Sequence, residues 1–324
     1  MLRTTPLLPS IRNAYPQAHI TWICGSSSFP LIHHNPQVDR TLPVTTESIV
    51  LLDHEHFHLV INFDLAPEAT AIAGRVRANQ YLGYGRKSDG SVVPFTPEGE
   101  EWLDMSLWDD FKKANTRTYQ SHMRRLIRVP DVNYPIFVPL LPESELKAQQ
   151  FAADRQLDPN RLTTGFNVGA GERWQHKKWT VEGYVKLAEY LHQQQNAQIV
   201  ILYGADDRKR AREVMSALTV PFIDAGIHER ILDFVAIMNL CDLVITGDTF
   251  ALHAALGLGK RVVCLVGPTS ATELEMYDQG VILQGDIDCL GCYLTRCDKD
   301  PYCMKLLNAD TVYQAVCTQI EALG

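Results

Sequence analysis

Four short runs in the second half of the chain are rich in apolar and β-branched residues. Each ends in glycine: TTGFNVG (163–169), QIVILYG (198–204), DLVITG (242–247) and RVVCLVG (261–267). Between them the apolar positions take up helical spacing, at Val181, Tyr184, Val185, Ala188 and Leu191, then at Ile231, Phe234, Val235 and Met238, then at Phe250, His253, Ala254 and Gly257. Strands that are apolar throughout, rather than alternating, are buried on both faces, so the pattern predicts a parallel sheet covered by helices. Ligands bind such sheets at the carboxyl ends of the strands, which is where the glycines and small polar residues gather.

The first half repeats the pattern less cleanly. AHITWICG (18–25) and FHLVINFD (57–64) read as buried strands, PLLPSIRNAY (6–15) and APEATAIAGRVRA (66–78) as helices, and the tryptophan-containing stretch 99–127 as helical and partly exposed. Residues 141–161 read as a helix followed by a polar Asp-Pro linker. This divides the chain into an N-terminal domain, 1–160, and a C-terminal domain, 161–324. A helix opens the N-terminal domain, where a Rossmann-like domain begins with a strand that sits in mid-sheet. Without that strand, two inner strand edges are expected to lie unpaired.

At 324 residues with 46% hydrophobic content, the chain can bury two cores. Its net charge of −8 argues against a role in holding a nucleic acid backbone, while leaving room for a local basic pocket for a small phosphate. No apolar run reaches the length of a spanning helix, and no signal-peptide pattern opens the chain, so a cytoplasmic protein is expected.

Three stretches could carry chemistry. In VITGDTFALHAALGLG (244–259), Asp248 or Thr249 can cap the following helix, whose free N–H groups then suit a diphosphate, while His253 lies one turn inside. An ordinary strand, turn and capped helix would read the same way. In NVGAGERWQHKKWT (167–180), a turn built on Gly169 and Gly171 precedes Arg173, Lys177 and Lys178, which can neutralise a phosphate or simply be solvated. GPTSATE (267–273) offers further small polar groups after the next strand.

Cys289, Cys292, Cys297 and Cys303 crowd into CLGCYLTRCDKDPYC. Their spacing allows a structural zinc or iron–sulfur site, two disulfides, or free thiols. His33, His34, His54, His56 and His58 are also clustered but complete no recognisable ligand set.

Taken together, these motifs resemble glycosyltransferase family 9, the ADP-heptose lipopolysaccharide heptosyltransferases and their relatives. RTTPLLPSIRNAYPQAHITWI, KKWTVEGYVKLAEYL, LCDLVITGDTFALHAALGLGKRVVCLVGPT and CLGCYLTRC carry the resemblance, which spans nearly the whole chain. It implies a GT-B-like α/β fold, two Rossmann-like domains facing across a cleft, here without the usual first strand of the N-terminal domain. It further implies inverting sugar transfer with no cofactor required for catalysis. A nucleotide-sugar donor, ADP-heptose by resemblance, would bind the C-terminal domain, and a glycan or lipid-linked acceptor the N-terminal one, with peripheral contact to the inner membrane. Carried over by position, the donor would meet Gly169, Arg173, Lys177, Asp233, Asp248, Thr249, Phe250 and His253. Phe250 stands where the family has glycine, which narrows the space beside the backbone donors. The family's general-base aspartate lies on a loop ahead of the first residue here, which leaves Asp64, at a strand end, as the candidate base. A silent nucleotide-sugar or glycan-binding protein and a sugar-nucleotide epimerase of similar fold are the alternative readings.

Overall fold

The computed structural model describes residues 1–323, which divide into two compact units: Arg3–Tyr134 with Thr272–Glu275, and Pro135–Ala271 with the chain from Met276 onward. The division falls ahead of the boundary expected after residue 160. The reason is the helix over 142–154, which is expected in the N-terminal half and instead packs in the second unit.

The N-terminal unit runs α1 (Leu7–Ala14), β1 (Thr21–Cys24), α2 (Phe29–Ile32), β2 (Arg40–Pro43), α3 (Thr46–His54), β3 (His56–Asn62), α4 (Pro67–Arg75) and β4 (Arg77–Arg86). It continues through β5 (Val92–Pro94), α5 (Glu100–Leu107), α6 (Asp109–Ala114) and α7 (Tyr119–Leu126). Its strands form two separate sheets. β1 pairs in parallel with β2, while β3 pairs in parallel with β4, and β4 turns back on β5 as an antiparallel pair. Among the described residues β1 and β3 each have a hydrogen-bonded neighbour on one edge alone, so two strand edges lie unpaired. Most residues of both strands are accordingly half-buried. α1 spans the two sheets: Leu8 packs with Cys24 and Ile32, whereas Leu7 and Ile11 pack with Leu82 and Tyr84.

The second unit starts with α8 (Pro142–Asp154) and then alternates strand and helix: β6 (Thr163–Asn167), α9 (Val181–Gln195), β7 (Gln198–Leu202), α10 (Arg208–Ala217), β8 (Ile223–Asp224) and α11 (Ile231–Met238). β9 (Leu243–Gly247), α12 (Phe250–Gly257), β10 (Arg261–Leu265), β11 (Gly280–Leu283), α13 (Cys303–Leu306) and α14 (Ala309–Glu321) complete it. The six strands make one parallel sheet in the order β11-β10-β9-β6-β7-β8. β6 and β7 are buried at every position, the polar Thr163, Thr164, Asn167 and Gln198 included. Phe166, Ile199, Ile201, Ile245 and Val263 fill the core with Leu187 and Leu191 of α9 and Val312 and Val316 of α14.

The strand order reverses between β6 and β9, registered Thr164 against Leu243 and Phe166 against Ile245. From this point the chain leaves β6 toward one side of the sheet and β9 toward the other. The loops following these two strands therefore diverge and leave a crevice at their carboxyl ends. Among the described residues no helix is long and apolar enough to cross a membrane.

Candidate functional site

The residues after β6 and β9 interlock at that crevice. Asn167, the last residue of β6 and 6% exposed, donates through Nδ2 to the Gly169 carbonyl (3.3 Å), to Thr246 Oγ1 (3.0 Å) and to Thr249 Oγ1 (3.2 Å). Thr249 is the N-cap of α12, and its Oγ1 accepts from the Ala251 N–H at 3.2 Å. One amide thus fixes the glycine turn, the end of β9 and the start of α12. A Cβ on Gly247 would lie 3.4 Å from both the Leu265 and Lys177 carbonyls, so glycine lets three segments meet closely.

Lys177 closes a short 3-10 turn, Gln175–Lys177, and donates through Nζ to Asp248 Oδ2 at 3.0 Å. The side chains are 11% and 19% exposed, so the pair is largely shielded from solvent. Burial pushes the Asp248 carboxyl upward. The Lys177 charge and hydrogen bond, a hydrogen bond from Thr269 and the nearby His253 outweigh it, and the carboxyl is held below its ordinary range. Arg173 and Lys177 flank the Trp174 indole, with cationic atoms 5.3 and 5.4 Å from the ring centroid. Trp179 plays no part in the crevice: it is 1% exposed, and its Nε1 donates to the Leu307 carbonyl at 2.7 Å.

The structure therefore brings together Gly169, Lys177, Asp248, Thr249 and His253, with Arg173 on the exposed loop beside them. Phe250 begins α12 and packs toward Phe234 of α11, with ring centroids 6.3 Å apart. Asp233 is a different matter. It is 6% exposed, and its two carboxylate oxygens accept from Ser144 Oγ (2.8 Å) and Lys147 Nζ (2.6 Å), which ties α11 to α8. Both oxygens that a ribose would need are engaged within the fold. Asp64 lies in the N-terminal unit, exposed, with Oδ1 accepting from the Ala66 N–H at 2.8 Å, so part of its carboxylate shapes the turn into α4.

Asn167 and Thr246 are site residues that the sequence motifs do not single out. Their signal is a polar residue near or at the carboxyl end of an otherwise apolar parallel strand, TTGFN and LVITG, the position from which a side chain reaches a ligand crevice.

The cysteine segment corrects an expectation. Among the described residues no group of histidine, cysteine, aspartate or glutamate side chains is arranged to hold a metal, and Cys289, Cys292, Cys297 and Cys303 are all free of disulfides. Cys303 is a core residue at the start of α13, and burial pushes its thiol up to about 11. Its sulfur and Met304 occupy the space that a side chain on Gly267 would take. The rest of the segment backs the same turn: the Gly291 and Tyr293 N–H groups donate to the Gly267 and Pro268 carbonyls at 3.2 and 2.7 Å. His176, next to Lys177, meets the Tyr302 ring edge-on at 4.9 Å between centroids. The segment is thus a packed support for the loops of the crevice. The clustered histidines likewise hold no metal set among the described residues; His54, His56 and His58 are exposed on α3 and β3.

A crevice lined by a shielded lysine, an arginine, hydroxyls and the N-terminus of α12 can hold an anionic group and a polyhydroxyl group side by side. The model of glycosyltransferase family 9 (heptosyltransferase) matches residues 113–302. Lipopolysaccharide heptosyltransferase 2 of Salmonella typhimurium is 23% identical over 298 residues, which covers 83% of this chain and 80% of that protein. Two solved structures share the fold. A glycosyl transferase family 9 protein from Veillonella parvula superposes with a TM-score of 0.79 at 20% identity, covering 99% of this chain and 94% of that one. ADP-heptose LPS heptosyltransferase II of E. coli does so with a TM-score of 0.67 at 19% identity, covering 100% and 94%. The architecture is GT-B-like, with two Rossmann-like domains.

Proposed function

The chain belongs to glycosyltransferase family 9, and from that premise we propose that it transfers a heptose from ADP-heptose to a hydroxyl of a lipopolysaccharide-core or similar glycan. The observation that carries this reading is the Lys177–Asp248 pair beside the Thr249 cap of α12. The donor's diphosphate takes the place next to Lys177, Arg173 and the first N–H groups of α12. The sugar hydroxyls meet Asp248, Thr249 and His253, and Gly169, whose lack of a side chain makes room for the Asp207 carboxylate, shapes the turn beside them. Residues of the N-terminal unit take the acceptor, and a lipid-linked acceptor brings peripheral membrane contact with it.

Transfer with inversion needs the acceptor oxygen to attack C1 as its proton leaves, while the C1–oxygen bond to the diphosphate breaks. Negative charge then accumulates on the leaving diphosphate. A lysine placed beforehand in a shielded crevice, with an exposed arginine beside it, stabilises that charge more strongly than water does. Asp248, ionised at neutral pH, orients Lys177 and can accept from a sugar hydroxyl.

A second reading, donor binding with little turnover, draws support from Asp64. Its carboxylate is exposed and already accepts the Ala66 N–H, whereas a base must be within hydrogen-bond reach of the hydroxyl whose proton it takes. Incubation with ADP-heptose and a heptose-deficient lipopolysaccharide core, followed by mass spectrometry of the glycan, separates the two. A heptose adduct with release of ADP supports transfer. ADP-heptose binding with no adduct supports the silent binder.

A further inference from the structure

Asp207 occupies the N-cap position of α10, where an aspartate ordinarily accepts from the first N–H groups of its own helix. Here it makes no such bond. The residue is buried, 7% exposed, and its side chain turns to the loop after β6 instead. Oδ2 accepts from the Gly171 N–H at 3.0 Å. Oδ1 lies 2.8 Å from Lys178 Nζ, a charge contact without hydrogen-bond alignment, between side chains each 9% exposed. The carboxylate also fills the space that any side chain at Gly169 would need.

One carboxylate therefore holds both ends of the loop 171–178. Within that loop lie Arg173 and Lys177, and between its anchors Glu172, Arg173 and Gln175 are exposed. The neighbouring lysines face different acids: Lys178 turns to Asp207, and Lys177 to Asp248. Burying a carboxylate is costly unless it is paired, and Asp207 forgoes helix capping as well. Both facts point to a role outside α10.

We propose that Asp207 is a positioning residue that staples the loop 171–178 and so presents Lys177 and Arg173 to the donor's diphosphate. The inference rests on the donor-site reading above. A loop already closed loses little freedom when the diphosphate arrives, so the staple acts on affinity for the phosphates and leaves the nucleoside alone. Asp207 itself touches no ligand.

The test is calorimetric titration of wild type, Asp207→Asn and Lys178→Gln with ADP and with adenosine, together with hydrogen exchange of the loop amides and a thermal melt. Asp207→Asn keeps an acceptor for Gly171 but loses the charge that holds Lys178. Wild type is expected to bind both probes. Both variants are expected to bind ADP about tenfold more weakly, to bind adenosine unchanged, and to exchange faster within 171–178. Unchanged ADP affinity overturns the staple, as does an equal loss of ADP and adenosine, which would mark general damage to the unit. Should Asp207→Asn fail to melt cooperatively, Lys178→Gln decides by the same comparison. A folded wild type that binds neither probe overturns the donor-site reading itself, and the staple with it.

Discussion

Lys177 Nζ and Asp248 Oδ2 lie 3.0 Å apart, one carried by a short turn after β6 and the other by the turn after β9, on the two sides of the point where the strand order reverses. The pair joins two loops that the topology sends apart. It also leaves a cation and an anion side by side in a shielded crevice.

Removing the cation should harm both stability and binding. Lys177→Ala leaves the Asp248 carboxylate buried without its main partner, a change worth roughly 2 kcal/mol at neutral pH. The affinity for ADP should fall together with the unfolding free energy. Urea unfolding and calorimetry on the same preparation check both, and a variant that binds ADP normally would remove Lys177 from the diphosphate site.

The acid side of the stability profile should carry the signature of Asp248. Its folded carboxyl titrates below the ordinary 3.8, so the unfolded chain takes up the proton first as pH falls. The contribution is therefore fully present above the unfolded value and is lost as pH drops through the folded one. The stability difference between wild type and Asp248→Asn should be constant above about pH 5 and shrink below it. A difference that grows on acidification would mean that burial, rather than Lys177, sets the carboxyl.

Asp233 should behave as a structural tie. Asp233→Ala frees Ser144 and Lys147 and should cost roughly 1–3 kcal/mol, since Ser144 is fully buried. Affinity for ADP in the folded variant should stay near wild type. A selective loss of ADP binding would return Asp233 to the ribose.

The cysteines should divide by burial. Replacing Cys289, Cys292 and Cys297 together by serine should leave the melting temperature almost unchanged, as should incubation with EDTA. Gly267→Ala should destabilise the protein by about 1–3 kcal/mol, because its methyl group meets Cys303 and Met304. Thermal melts of the two variants give the comparison, and a large EDTA effect would contradict the packed-support reading of the segment.

Much of the second unit is legible in the amino-acid sequence. β7, β9 and β10 are largely continuous apolar runs and β6 is β-branched and small, and a parallel sheet covered on both faces is the arrangement that buries such runs completely. Lys177, Asp248 and Thr249 stand out because they follow such strands. The N-terminal unit is less legible where strands are half exposed. The helix expected over 66–78 ends at Arg75, and β4 begins at Arg77 in the polar sequence RANQYLGYGR, which has no apolar run to announce it. Partners far apart in sequence are out of reach of periodicity. Helical spacing places Asp233 on α11 but says nothing of Ser144 and Lys147 on α8, whose packing also moves the unit boundary to 134/135. The cysteine spacing permits a metal, but among the described residues the side chains are not grouped to hold one, which depends on loop geometry that spacing does not fix.

The most direct test of the donor site is calorimetric titration of the folded chain with ADP, beside a Lys177→Ala, Asp248→Ala double variant that removes both charges together. Saturable binding by wild type and its loss in a double variant that still melts cooperatively is the expected result. Equal binding by the two proteins, or none by folded wild type, would contradict the assignment of the crevice between β6 and β9 to a nucleoside diphosphate.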